Sequence, residues 1–149
     1  MTKNTLKQLI HECIKEYLNE AKPLTIKNLV RGSMKYEITN EKKLVNGLTL
    51  YRIKALKDFG KVKAGDLGGW IERESNLSQE GKAWVSGYAW VSGNAWVSGD
   101  AQVSGNAWVS GDAQVFGNAR VSGYAVVSGN AEVSGNAEVS WNDQVYGQN

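Results

Sequence analysis

Gly81-Lys82-Ala83-Trp84-Val85-Ser86, followed by Gly87-Tyr88-Ala89-Trp90-Val91-Ser92, opens a six-residue unit that recurs as far as Tyr146. Eleven units fit the register. Glycine leads all but the last, where Trp141 stands; alanine is third in all but the last, where Asp143 stands; valine is fifth in every one. A period of six does not match the 3.6-residue repeat of a helix, and recurrent Gly and β-branched Val weaken helices further. In an extended segment, residues two apart share a side, so each unit turns one Ala and one Val inward and the residue between them outward. Gly and the Asn or Asp that often follows it, as at Asn94, Asp100, Asn106 and Asp112, are types that tolerate the positive φ of a sharp corner. Each unit therefore reads as a short strand plus a corner. Such units wind into a coil whose turns stack about 4.8 Å apart with parallel hydrogen bonding. A flexible Gly/Ser linker would not hold Ala and Val in register.

The repeated Val-Ser-Gly-Asn-Ala pattern resembles the bacterial hexapeptide-repeat family over residues 75 to 146. That resemblance implies a left-handed parallel β-helix with three hexapeptides per coil, commonly assembled as a homotrimer. The expected fold is mainly β: about four coils over 75–149, an amphipathic helix over 1–22 and a small α+β cap over 23–74. Residues 75 to 80, with Asn76 and Leu77, read as a degenerate first unit, and the unit led by Trp141 as an end cap. The preceding stretch Gly65-Asp66-Leu67-Gly68-Gly69-Trp70-Ile71-Glu72 is similar to the lead-in of hexapeptide proteins encoded by phages and prophages, which implies a viral origin and a virion or host partner, counter-defence included.

Upstream of the repeats, Leu6, Leu9, Ile10, Cys13, Ile14, Tyr17 and Leu18 fall at helical spacing ahead of Pro23. Tyr36 and Ile38, then Leu48, Leu50 and Ile53, suggest strands with turns at Asn40 and at Asn46-Gly47. Gly68-Gly69 reads as a further turn. Residues 1 to 80 hold 15 Lys+Arg against 10 Asp+Glu, and residues 81 to 149 hold 2 against 5. The cap is basic, but its lysines are scattered among acids, which suits a solvated surface better than a nucleic-acid interface.

Three units per coil would place outward residues 18 apart in columns. One column runs Trp84, Gln102, Arg120, Glu138, ending in an opposite-charge pair between coils; a second runs Trp96, Gln114, Glu132. The third runs Trp90, Trp108, Val126, Gln144, beside a corner column of Tyr88, Asn106, Tyr124 and Asn142. Tyr88, Trp90, Trp108, Tyr124 and Val126 form the candidate interface, with Trp84, Trp96 and Arg120 as a secondary surface, because aromatic side chains are enriched in interface cores. The alternative is a Trp ladder that stabilises the sheet without a partner.

No catalytic residue is nominated. Many relatives within the resembled family are acyltransferases with a histidine base, and others bind zinc through several histidines; the single histidine, His11, and single cysteine, Cys13, lie outside the repeats. The corner serines have no recurring base beside them, and Glu132 and Glu138 fall on different faces. No metal or cofactor is expected. With no apolar run near the roughly 20 residues a membrane helix needs and no secretory leader pattern, the expected setting is the cytoplasm. The expectation is a non-enzymatic interaction module, a homotrimer with a host or viral protein partner. The alternatives are a small-ligand binder, taking a nucleotide or sugar at subunit grooves, and an acyltransferase with an atypical base.

Overall fold

The computed structural model describes residues 34–147. The chain divides at Met34–Lys35, and the architecture below is that of the second unit. The helix expected over 1–22 lies outside the described residues.

The unit begins with an antiparallel hairpin, β1 (Tyr36–Val45) and β2 (Leu48–Ala55), closed by Asn46 at φ 50 and Gly47 at φ 82. Two consecutive left-handed residues match the right-handed twist of the flanking strands. The turn expected at Asn40 is absent: β1 runs through it, and the register shifts between Ile38 and Lys42, so a bulge absorbs the polar residues. β3 (Leu67–Ile71) then pairs antiparallel to β2. Between Leu67 and Ile71 the pair Gly68-Gly69 is strand instead of turn. A methyl group on Gly69 would lie 2.6 Å from the Ala89 carbonyl oxygen, so these glycines allow β3 to press onto the next coil. Of the α+β cap expected over 23–74, the described part is β apart from one 3-10 turn at Glu74–Asn76.

Eleven short strands follow: β4 (Trp84–Val85), β5 (Trp90–Val91), β6 (Trp96–Val97), β7 (Gln102–Val103), β8 (Trp108–Val109), β9 (Gln114–Val115), β10 (Arg120–Val121), β11 (Val126–Ser128), β12 (Glu132–Val133), β13 (Glu138–Val139) and β14 (Gln144–Tyr146). They stack as three parallel faces, β4-β7-β10-β13, β6-β9-β12 and β5-β8-β11-β14, the last continued upward by β3, β2 and β1. Among these eleven strands partners are 18 residues apart, as in Trp84 with Gln102 and Val126 with Gln144. The three columns of outward residues therefore stand as the spacing implied. Ala and Val of the units from Ala83 to Val127 are fully buried and form one continuous core.

The corners are built more economically than composition suggests. Positive φ is confined to the glycine of each unit, between 63 and 71 from Gly81 to Gly135, and the Asn, Asp or Tyr after it stays out of the left-handed region. From Gly81 to Gly135 only the leading position therefore calls for glycine, which is why Tyr88 and Tyr124 can occupy the second position. Asn and Asp use that position to link coils, as in Asn94 Nδ2 donating to Asp112 Oδ1 at 3.0 Å. At the last corner Trp141 adopts φ 56 and is 81% exposed.

The first coil departs from the register. Trp70 pairs with Trp90 and Leu77 bridges to Val97, an offset of 20. Leu77 thus occupies a valine position, not the alanine position assigned from the hexads, and the repeat begins at β3. The two extra residues are Gln79-Glu80, and they hold the hairpin: Gln79 Oε1 accepts from the Lys35 and Tyr36 amides, while its Nε2 donates to the Tyr36 carbonyl. Asn76, fully buried, donates through Nδ2 to the carbonyls of Gly93 and Ala95 and accepts from the amides of Glu72 and Arg73.

Above the first coil, Tyr36 closes the end of the core, its hydroxyl donating to the Leu77 carbonyl at 2.6 Å. Lys35 is 1% exposed; its ammonium donates to the Ala83 carbonyl at 2.7 Å and lies 5.0 Å from the centre of the Phe59 ring. Burial, with Lys57 nearby as a second cation, pushes its pKa down to about 8. The unfolded chain holds that proton to about pH 10.4, so from about pH 8 to 10.4 the unfolded state binds more protons and stability rises with pH. The Tyr36 hydroxyl, pushed up by burial and then by Glu74, opposes this above pH 10, where only the unfolded tyrosine ionises. Denaturant melts should show a gain of roughly 1–2 kcal/mol between pH 7.5 and 9.5, allowing for solvent screening. Most of the gain should be lost in Lys35→Met, with the lowered pKa of Lys43 leaving a smaller rise of the same sign; a wild-type profile no steeper than the variant's would contradict the assignment.

Candidate functional site

Face β5-β8-β11-β14 gathers the aromatic residues. Because outward positions on neighbouring coils meet directly, Trp90 and Trp108 stack with centroids 4.4 Å apart and planes inclined by 20°. Trp70 continues the column on β3, a member missed from sequence because the register shifts by two below it. Its ring is covered by the Lys43 ammonium at 4.3 Å and the Arg52 guanidinium at 5.9 Å. Burial, then repulsion by Arg52, lowers the Lys43 pKa. Val126 extends the column and is half-buried. On the adjoining corner Tyr88 and Tyr124 are 72% and 66% exposed. The five candidate interface residues thus share one face and its edge. Among the described residues the Trp108 indole N–H is buried with no hydrogen-bond partner, an arrangement that costs about 1–3 kcal/mol when nothing compensates it.

The secondary surface does not survive as a unit. Trp96 is exposed on the β6-β9-β12 face, whereas Trp84 is buried at 4%. Phe59 meets Trp84 edge to face at 5.2 Å and Tyr36 does so at 6.3 Å, so the outward position of the first coil is covered by the cap. Sequence reading missed this because an outward hexad position says nothing about what folds over it. Arg120 is exposed on the β4-β7-β10-β13 face, Cα partner of Glu138. The opposite-charge pair expected there is not formed: among the described residues Arg120 has no ion pair or side-chain hydrogen bond.

Below the loop holding Phe59 and Val62, that same face carries a trough of about 700 Å³ lined by Lys61, Lys82, Gln102, Arg120, Glu138 and the serine column Ser104, Ser122, Ser140. Among the described residues no group of three or more His, Cys, Asp and Glu is arranged to hold a metal ion, and no helix is long and apolar enough to cross a membrane.

Stacked two- and three-residue strands on three faces, with glycine corners and an Ala/Val interior, define a repeat β-helix, a β-solenoid of about four turns. The profile of the YdcK beta solenoid repeat matches residues 101–115 and 113–129, the middle of that solenoid. Over 36 residues the chain is 53% identical to a protein of Escherichia coli (strain K12) named "Uncharacterized acetyltransferase YdcK"; the match spans 24% of this chain and 11% of that protein.

Proposed function

We propose that this protein is a non-enzymatic interaction module whose solenoid presents the Tyr88–Trp90–Trp108–Tyr124–Val126 strip to further copies of itself. The observation that carries the reading is the juxtaposition of a stacked indole pair with two largely exposed tyrosines along one edge. A strip of this kind is the composition enriched in interface cores. The hexapeptide resemblance supports a left-handed coil and a homotrimer packed about a threefold axis, with a virion or host protein as the further partner in a phage-encoded setting. Static light scattering tests it: wild type should have the mass of an oligomer, and Trp108→Glu should fall to the monomer while keeping its far-UV spectrum. A wild-type monomer, or an unchanged mass in the variant, rejects the reading.

Acyl transfer is the second reading, favoured by the name of the E. coli protein alone. The solenoid's corner serines and Lys35 offer no general base poised beside a nucleophile, and His11 lies outside the described residues. Thiol release from acetyl-coenzyme A above the uncatalysed rate would reinstate it.

A further inference from the structure

We propose that the trough on the β4-β7-β10-β13 face binds an acidic saccharide, its carboxylate on Arg120 and its hydroxyls along the serine column. The site lies on the neighbouring face, across the corner that carries Tyr88 and Tyr124, and shares no lining residue with the aromatic strip.

The groups that line the trough are held with their bonding capacity unspent. Arg120 stands between Gln102 and Glu138 on successive coils, yet its guanidinium is exposed and unpaired, as are the ammonium groups of Lys61 and Lys82 among the described residues. Gln102 commits its Nε2 to the carbonyls of Lys82, at 3.0 Å, and Asp100, at 3.4 Å, which fixes the amide and leaves Oε1 as an acceptor. Glu138, free of Arg120, is a second acceptor one coil further on. Ser104, Ser122 and Ser140 repeat once per coil, so hydroxyls recur at the spacing of the stack, about 4.8 Å. The lining carries three cations, Lys61, Lys82 and Arg120, against two carboxylates, Asp100 and Glu138, and one Asp100 oxygen already accepts from the Lys82 amide at 3.1 Å.

A planar guanidinium matches a carboxylate with two parallel hydrogen bonds, and rows of hydroxyl, amide and carboxylate groups suit a chain of sugar hydroxyls. Other ligand classes fit less well. A nucleobase needs an aromatic platform, and the one ring at the trough, Phe59, is already engaged by Trp84 and by the Lys35 ammonium. An extended peptide added as a strand needs an open edge, and β7 and β10 are each paired on both sides.

The test is calorimetric titration of the full chain with the trimer of galacturonic acid, with the neutral galactose trimer and with inorganic phosphate. The acidic trimer should bind, with the neutral trimer and phosphate each about tenfold weaker or undetectable. Arg120→Ala should weaken the acidic trimer roughly tenfold or more, with part of the loss recovered in Arg120→Lys. Trp96→Ala, on a different face, should bind as wild type does. Arg120 is outward and outside the core, so circular dichroism should be unchanged in its variants. The inference is overturned if the acidic trimer does not bind, if phosphate binds as tightly, which would mark a bare anion site, or if Arg120→Ala binds like wild type.

Discussion

Tyr36→Ala is expected to lower the unfolding free energy by about 3–5 kcal/mol, a large share of the roughly 5–15 kcal/mol available to a domain. Tyr36 is fully buried, contacts Trp84 edge to face, and donates its hydroxyl to the Leu77 carbonyl at 2.6 Å, with the Glu74 carbonyl at 3.0 Å. Truncation opens a cavity over the end of the Ala/Val core and leaves the Leu77 carbonyl without that donor. Tyr36→Phe separates the two contributions: it keeps the ring and should cost about 1–2 kcal/mol. Urea melts followed by tryptophan fluorescence measure both. A loss under about 1 kcal/mol for the alanine variant would show that the hairpin only decorates the solenoid.

Gly69→Val should be damaging by the opposite route. A Cβ there would approach the Ala89 oxygen to 2.6 Å and Val85 Cγ1 to 2.7 Å, so β3 could not remain both paired with β5 and pressed on the core. Overpacking of this kind costs about 1–3 kcal/mol or more, a fall in Tm of roughly 2–12 °C for a chain of this size. Gly47→Ala is the control. Gly47 has φ 82 but nothing within 4 Å of a new methyl, so only the backbone term, on the order of 1 kcal/mol, applies. Equal losses in the two variants would mean that close approach at β3 is not what fixes the glycine pair.

These two positions also lie where the repeat no longer dictates the structure. From Gly81 onward the hexads specify interior, exterior and corner at every position, and the 18-residue columns stand as the spacing implied, because each unit repeats the same local solution. Above Gly81 nothing repeats. Leu77 can be placed in an alanine or a valine position, since the two lie two apart and both face inward; its volume is the signal that favours valine. Gly68-Gly69 looked like a turn because glycine permits one, whereas here its lack of a side chain is used for packing inside a strand. The candidate interface residues were brought together as expected, since all lie within the periodic part. Trp84 was misplaced and the trough's upper wall unseen for one reason: the loop at Phe59 and Val62 reaches the β4 face from more than twenty residues away in sequence, a long-range contact that leaves no periodic trace.

Because every coil below Gln79-Glu80 advances the chain by the same 18 residues, the solenoid behaves like a ruler graduated in whole turns. Joining Ser98 directly to Gly117 would remove one graduation and leave the cap, the remaining corners and the final strand with the partners their shapes require. Tyr88 would then sit against Tyr124, and the trough would be one step shorter. Length is thus a property that duplication or loss of a block can alter without redesigning either end, and the reach of any bound chain would change in the same increments.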